Sequence, residues 1–434
     1  MTAGVTKPLL LGGLLLSLVL GGGGGISQAS AAGMDPGMDH GAIGEGDLDH
    51  LIAIAKQMSP ELAAAALESD AAAAKVAGAD SLPDPKLQWQ AMDIPRDGSN
   101  YLPGRLPKTD KFFLQQDFPL WGKRDLKREI AVANSQKAAA LRVVAEAELI
   151  ARVKAAYAQY HQIHQAIDLD QELLPRLSTI AKLAGARYGQ GVGKQQEATG
   201  AEIERTELVS ELVRLDAERR KAKVRLNSLV GRDGNAPIDE TPHLRPIPAD
   251  LELGDLTDRA DRLNPELRAQ NSEIEAADGS VTLAEKSWYP DLGVSVGAVK
   301  ANGRFDGYEA MLEVNIPIRG GLRDADIGEA KAMSGAVKSK RRAKELEIQS
   351  ALSDAYWNLE AARKMEKLML DSSLPQARVG FESAAHAYEL GKGEFAMVLS
   401  AEQQWRKTHL AHLQAQLEQQ MGLAEIEKLI GGDL

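Results

Sequence analysis

A repeat with an offset of 200 residues constrains this chain more than any other feature of its sequence. The segments ARYGQGVGKQQEATGAE, from Ala186, and HAYELGKGEFAMVLSAE, from His386, carry Tyr, two Gly and an Ala-Glu pair at the same spacing. The match extends without a gap from Leu174-Pro175 and Leu374-Pro375 to Leu229-Val230-Gly231 and Leu429-Ile430-Gly431. The matching residues are mainly those that shape the backbone, which indicates a duplicated structural unit.

The glycines of the first segment do not form a phosphate-binding loop. Such a loop has a glycine five positions before its Gly-Lys pair and a hydroxyl residue directly after it. Here Tyr188 and Gln195 occupy those two positions. The rest of the sequence offers no pairing of a nucleophile with a base, so we predict that the chain is not an enzyme and uses no cofactor.

The composition favours long helices over a large globular core. Aromatic residues are only 4% of the 434 residues, whereas alanine and charged residues dominate long stretches. The formal charge of −11 speaks against nucleic acid as a partner. The absence of cysteine from the sequence excludes disulfides, thiolate metal sites and a lipidated N-terminal cysteine.

The N-terminus carries an export signal. Residues 1–32 contain Lys7, a short apolar run and the cleavage pattern Ala29-Ser30-Ala31, which predict a secretory signal peptide; the alternative is a membrane helix. The following segment, residues 33–47, is predicted to be a flexible linker. Its alternative function is weak metal capture, through Met34, Met38 and His40.

Four stretches alternate apolar and polar residues, as β-strands do. They lie at about residues 85–93, 110–118, 291–299 and 308–316. Strands of about nine to eleven residues can cross an outer membrane when tilted. Ten of the 19 aromatic residues fall within 89–121 and 288–308, as expected for interfacial girdles. A soluble β-sandwich is the alternative.

Long helical stretches follow each strand pair. Lys123 to Arg187 and Leu322 to Ala387 are rich in Ala, Glu, Lys, Arg and Leu, interrupted mainly by Pro175 and Pro375. Each helix would be on the order of 100 Å long. The return helices, from about Lys194 to Val230 and from Glu394 to Ile430, have coiled-coil spacing. The glycine segments are therefore the bends of two helical hairpins.

The two repeats occupy residues 48–231 and 263–434, with a proline-containing linker at 232–262. The four strands are too few for a transmembrane barrel, whose smallest known form has about eight. Their open edges must pair with further copies. Three copies would supply twelve strands, so we predict a homotrimer, although strand number alone leaves two or four copies open.

These motifs resemble the TolC family of outer-membrane efflux channels over essentially the whole mature sequence. The resemblance rests on paired motifs: SPEL at Ser59 with NPEL at Asn264, LPDP at Leu82 with YPDL at Tyr289, strand exits at Pro119 and Pro317, and tips at Tyr188 and Tyr388. The stretch FPLWGKRDLKREIAVA, from Phe118, is most similar to members that serve heavy-metal exporters of the resistance-nodulation-division class.

The resemblance implies a mainly helical fold with a small transmembrane β part. Three copies would form a 12-stranded β-barrel in the outer-membrane lipid, on a long α-helical barrel in the periplasm. The implied function is a passive exit duct of a tripartite system for heavy-metal cations, with a periplasmic adaptor and an inner-membrane pump as partners. The alternatives are a duct for drugs or other organic molecules, a type I secretion duct, and a structural coiled-coil surface protein.

The resemblance also implies where such a duct closes. Tyr388 matches the family's gating tyrosine and Glu197 its acidic partner. The family's two ring aspartates fall on Met397 and Ser400, and its gating arginine falls on Gly393, so this chain departs from the pattern. We expect Glu197 and Glu394 to supply the negative charge and Met397 to narrow the closed pore. The alternative is that both glutamates are solvated helix-end charges.

Two further sets of residues have candidate functions. By the same resemblance, the adaptor would dock on the exposed bends, at Gly191, Val192, Gly193, Gly391, Lys392 and Gly393; a bend without a partner is the alternative. The pairs His161/His164 and His409/His412 each share a helix face, which suits metal ligation. Since the sequence reveals no third ligand, we predict no metal site there.

Overall fold

The computed structural model describes residues 48–94, 108–238, 243–318 and 320–434. The first repeat contains helices α1 (Leu48–Met58) and α2 (Pro60–Gly78), strands β1 (Lys86–Met92) and β2 (Thr109–Phe118), and helices α3 (Lys123–Gly189) and α4 (Gln195–Val230). The predicted signal peptide and the segment with Met34, Met38 and His40 lie outside the described residues.

The second repeat has the same order of elements. It contains α5 (Leu253–Leu263), α6 (Pro265–Glu285), β3 (Asp291–Ala301), β4 (Arg304–Asn315), α7 (Gly320–Leu368), α8 (Leu374–Glu389) and α9 (Phe395–Ile430). The mainly helical fold with one small sheet is confirmed. Strand β4 starts at Arg304, earlier than the alternation predicts, because Asn302 and Gly303 form a tight turn with positive φ that joins it directly to β3.

The two prolines of the long helices have different effects. Helix α3 is 67 residues long and continues through Pro175 without a break, contrary to the predicted interruption. In the second repeat, a π-helical turn, Met369–Ser373, separates α7 from α8 and places Pro375 in the first turn of α8. A proline in the first turn costs no hydrogen bond, because that amide has no helical partner. The helical stretch that precedes β1 is also divided, at Ser59, for the same reason: Pro60 begins α2.

The four strands form one antiparallel sheet in the order β1-β2-β3-β4. Trp89 lies opposite Phe112, which lies opposite Ala298, which lies opposite Tyr308. These four residues form a row of apolar side chains across one face of the sheet. Trp89, Phe112 and Tyr308 are 64%, 47% and 85% exposed. This face of the isolated chain is therefore apolar and uncovered.

The opposite face of the sheet is mainly polar, and its side chains bond to one another. The contacts are Lys86 with Asp117 at 2.8 Å, Gln88 with Gln115 at 2.8 Å, and Lys111 with Glu309 at 2.6 Å. Soluble sheets bury the apolar face and expose the polar one. Here the polarity is reversed, as it is in strands whose outer face meets lipid.

Among the described residues, no helix is both long enough and apolar enough to cross a membrane. The helices instead pack side by side, α3 against α4, α6 and α9, and α7 against α9. Their buried residues form separate clusters along the length of the hairpins rather than one central core. The cluster nearest the bends joins both repeats and contains Tyr388, Phe381 and Trp405.

The return helix of each repeat ends in the same way. Gly231 and Gly431 both adopt a φ of 76° after α4 and α9. An added Cβ would lie 2.8 Å from the Met58 carbonyl oxygen at Gly231, and 2.7 Å from that of Leu263 at Gly431. The glycines are thus required by both backbone conformation and close packing on the preceding short helix.

Candidate functional site: the helical tips

Two glycines at each bend meet different structural needs. Gly191 and Gly391 adopt φ angles of 74° and 73°, which reverse the chain after the long helix. Gly193 and Gly393 have no such angle. An added Cβ at Gly193 would lie 2.9 Å from the Tyr188 amide nitrogen, and one at Gly393 would lie 3.0 Å from that of Tyr388. These second glycines therefore let each bend fold tightly onto its own helix.

The bends also present the residues that were predicted to contact an adaptor. Val192 is 68% exposed, and Gly191, Gly391 and Lys392 are exposed as well. Gly193 and Gly393 are half-buried under the bend. The available surface of each tip is thus small and formed largely by backbone.

The predicted gating pair is brought together across the two repeats. Tyr388 lies at the end of α8, and its hydroxyl donates to Glu197 Oε2 at 3.4 Å, a long hydrogen bond. Glu197 lies in the first turn of α4, where the helix dipole favours a carboxylate. The Tyr388 ring is only 1% exposed and packs edge-on against Phe395 at 5.9 Å. The contact thus connects the two tips of one chain.

An arginine completes this contact, and the sequence analysis did not identify it. Arg187 Nη1 donates to the Tyr388 carbonyl oxygen at 3.2 Å, and its guanidinium lies 5.0 Å from the centre of the tyrosine ring. The matching position of the second repeat is Ala387. This difference between otherwise similar tips was the available sequence signal. This chain therefore has an arginine beside Tyr388 that is contributed by the first repeat.

The surroundings keep the tyrosine in its neutral form. Burial raises the pKa of the Tyr388 hydroxyl, and the nearby Glu197 carboxylate raises it further, while Arg187 acts in the opposite direction. The hydroxyl therefore keeps its proton and remains a hydrogen-bond donor at neutral pH.

The other predicted gate residues lie on the first turns of α9. Glu394 is the residue before the helix and is exposed, Met397 is 65% exposed, and Ser400 is exposed. Their side chains are thus directed away from the interior of a single chain.

A buried acid lies two turns below the tip. Glu402 is 1% exposed, and neither carboxylate oxygen has a hydrogen-bond partner. Burial raises its pKa to about 7, Glu204 adds to this shift, and Arg406 opposes it. Arg406 is itself bound by Asp170, through two contacts of 2.7 Å. Nothing in the sequence distinguishes Glu402 from its neighbours, because an acid in a charged helix is ordinarily solvated.

Comparison with known proteins identifies the family. The outer membrane efflux protein profile matches residues 51–232 and again residues 256–432. The two matches contain the two helical hairpins and the strands. More than half of the chain is therefore covered, and the duplication is part of the family's pattern.

Three relatives differ in how much of their length is matched. The outer membrane efflux protein BepC of Brucella suis is 24% identical, over 60% of this chain and 58% of its own length. The cobalt-zinc-cadmium resistance protein CzcC of Cupriavidus metallidurans is 21% identical, over 90% of this chain and 91% of its own. The pyoverdine export outer membrane protein OpmQ of Pseudomonas putida is 23% identical, over 90% and 87%. The chain thus spans little more than half of BepC but nearly all of the other two.

The fold matches that of a solved channel. The outer-membrane channel OprN superposes with a TM-score of 0.77 at 19% identity, covering 89% of this chain and 90% of that one. The likeness includes the paired helical hairpins and the small sheet. With its twin profile matches, this chain belongs to the outer membrane efflux protein family, a family of outer-membrane channels with large periplasmic helical parts rather than of enzymes.

Proposed function

We propose that this chain is the passive exit duct of a tripartite efflux system that exports heavy-metal cations. The observation that carries the proposal is the match to a cobalt-zinc-cadmium resistance protein over about nine-tenths of both chains. The pyoverdine exporter is matched over a similar extent, so a duct for small organic molecules is the second candidate. In either case the energy comes from a partner, because a passive duct performs no energy-yielding reaction.

The assembly that fits this function is a homotrimer. Strands β1 and β4 are the edges of the described sheet, and each leaves backbone groups that need a partner. Three copies joined edge to edge would provide twelve strands. The exposed apolar face around Trp89 and Tyr308 would then contact outer-membrane lipid, and the bonded polar face would line the passage.

The gate is proposed to lie at the periplasmic tips. Tyr388, Glu197 and Arg187 hold the two hairpins of one chain together. Repeated around a threefold axis, Glu197 and Glu394 would add negative charge that favours cations. Met397 would narrow the closed passage, and Ser400 would lie at the same gate.

A planar-bilayer recording tests the role of the charge. We expect Glu197→Gln to reduce cation selectivity and to raise conductance, because it removes both a carboxylate and part of the contact with Tyr388. Glu202→Gln is the matched control, since Glu202 lies on the same helix and pairs with Arg205. Unchanged selectivity and conductance in Glu197→Gln would exclude the proposed charge role.

The partners are proposed from the form of the tips. Gly191, Val192 and Gly193, with Gly391, Lys392 and Gly393, would accept the hairpins of a periplasmic adaptor, which in turn would join the duct to a resistance-nodulation-division pump. The exposed backbone at the bends allows close approach of a second helix tip. Replacing Val192 by a charged residue should weaken adaptor crosslinking while leaving the trimer intact.

The substrate class is tested in a deletion strain. Its tolerance to copper, zinc, cobalt, nickel and cadmium would be measured beside a panel of hydrophobic drugs and dyes. We expect selective loss of metal tolerance, restored by the intact gene. Sensitivity to the organic compounds alone would favour the second candidate.

A further inference from the structure

Five of the chain's eight histidines line one cavity of about 520 Å³ between the two repeats. They come from α3, from α9 and from the segment after residue 242. The five are His161, His164, His243, His409 and His412. Neither helical pair shows a third ligand in the sequence. The fold places the other pair and His243 along the same cavity.

The helices bring the imidazoles together in a regular way. His161 and His164 are three residues apart on α3, and His409 and His412 are three apart on α9, so each pair occupies one face of its helix. The rings of His409 and His412 lie 6.2 Å apart, centre to centre. Because α3 and α9 pack against each other, both pairs border the same space.

Several imidazole nitrogens in this cavity lack a partner. His164 Nδ1 and both ring nitrogens of His412 are buried without a hydrogen bond. The contact of 3.4 Å from His412 Nε2 to Glu366 Oε1 is an ion-pair distance without hydrogen-bond alignment. Buried polar atoms in native proteins are normally satisfied by protein, water or a ligand, so these nitrogens are available to coordinate a cation.

The donor atoms that border the cavity suit a metal cation, because five of the lining residues are histidines. Neutral imidazole is the form that binds Zn²⁺ and related cations. One carboxylate lies near this group, since Asp168 Oδ2 is 3.9 Å from His164 Nε2, an ion-pair distance that is longer than a hydrogen bond.

We propose that this cavity binds one divalent transition-metal cation, such as Zn²⁺, through imidazoles of both helical pairs. Within the described residues, no three His, Asp or Glu side chains yet lie close enough together to hold a metal. Binding therefore requires the imidazole rings to rotate towards one another within the cavity. The bound cation joins α3 of the first repeat to α9 of the second. The proposed site is formed by helices α3 and α9 themselves, so it does not depend on which substrate the duct carries.

Calorimetry of the purified full-length protein with Zn²⁺ tests the proposal. We expect about one saturable site per chain and a rise in the thermal midpoint with Zn²⁺. The double variants His161→Gln/His164→Gln and His409→Gln/His412→Gln should each lower the affinity at least about tenfold. His386→Gln is the matched control, because His386 lies exposed on α8, beside Glu389.

A second control separates this site from the N-terminal segment. Replacing Met34, Met38 and His40 should leave the affinity for Zn²⁺ unchanged. The proposal would be overturned if both double variants bound Zn²⁺ with the wild-type affinity. It would also be overturned if only the N-terminal variant lost binding.

A spectroscopic measurement decides the outcome if a double variant fails to fold. Electron paramagnetic resonance of the wild-type protein with one equivalent of Cu²⁺ counts the coordinating nitrogens. We expect at least two imidazole nitrogens and displacement of the signal by Zn²⁺. A spectrum with only oxygen ligands would rule the site out.

Discussion

The two tips of this chain have the same backbone but different side-chain environments. Gly191 and Gly391 turn the chain with nearly the same φ, 74° and 73°. Yet Tyr188 is 47% exposed, whereas Tyr388, its counterpart, is 1% exposed. The duplication therefore preserved the turn and not the packing around it.

Aromatic residues of the second repeat account for this difference. Phe381, Phe395 and Trp405 occupy the positions of Ala181, Gln195 and Arg205 in the first repeat. All three aromatic side chains are buried, and Phe381 stacks on Trp405 at 5.6 Å. They fill the space between the hairpins and enclose Tyr388. The second repeat thus supplies the large aromatic side chains of a core to which both repeats contribute.

The largest expected effect comes from removing one of these aromatic side chains. Trp405→Ala should destabilise the chain by about 3 to 5 kcal/mol, because it leaves a cavity beside Phe381. Arg205→Ala, at the matching position, should leave stability unchanged. Urea unfolding followed by circular dichroism measures both. Equal losses would mean that the two tips share one kind of packing.

A second comparison concerns the ends of the return helices. Asn227 donates to carbonyl oxygens of the linker that follows α4, whereas its counterpart Glu427 binds Lys154 of α3 at 2.8 Å. The side chains of Lys154 and Glu427 are each only 5% exposed. Lys154→Met should cost about 3 kcal/mol, because the Glu427 charge stays buried with Arg245 as its remaining partner.

The control for this ion pair is Lys56→Met, which breaks the exposed pair with Glu146. We expect a loss of at most about 1 kcal/mol there. A similar small loss for Lys154→Met, measured by the same urea unfolding, would show that burial does not strengthen the link between the repeats.

The matched acids Glu202 and Glu402 should differ in their pH dependence. The Glu402 pKa of about 7 lies above its ordinary value of 4.5, so the folded chain binds this proton more tightly than the unfolded chain. Stability should therefore fall as the pH rises from about 4.5 through 7. Glu402→Gln should remove this loss and stabilise the chain at pH ~8, by no more than about 3 kcal/mol.

The control at the first repeat has the opposite sign. The hydrogen bond from Arg205 lowers the pKa of Glu202, so Glu202→Gln should give no stabilisation at high pH. Thermal midpoints between pH ~5 and ~8 would be compared for both variants. The same pH profile in wild type and Glu402→Gln would contradict the buried-acid interpretation, which includes Glu204, Arg406 and Asp170 as the charged neighbours.

The smallest effect is expected for the tyrosine hydroxyls. Tyr388→Phe removes the long hydrogen bond to Glu197 and should cost about 1 kcal/mol or less. In single-channel recordings it should increase the fraction of time spent open, whereas Tyr188→Phe should not. An unchanged open fraction for Tyr388→Phe would mean that Arg187, rather than the hydroxyl, holds the tip.

The sequence predicted the elements of this fold better than their interruptions. The spacing of apolar residues and the positions of glycine and proline located four strands and two helical hairpins, because those signals depend on neighbouring residues. Pro175 was expected to interrupt a helix that continues through it, since packing along the bundle outweighs one lost hydrogen bond. The contact of Tyr388 with Glu197 followed from the family resemblance. Arg187 and Glu402 did not, because the carbonyl that Arg187 binds lies in the other repeat and the burial of Glu402 depends on packing between helices that are distant in the sequence.

The sequence by itself determined the duplication, the helical hairpins with their glycine bends, and the polarity of the strands. Each depends on local backbone preference or on the alternation of neighbouring side chains. Only the tertiary structure decided which tyrosine is enclosed, which glutamate is left unpaired, and that two histidine pairs border one cavity. Those properties depend on contacts between residues far apart in the chain, and the same repeated residue meets different neighbours in each copy.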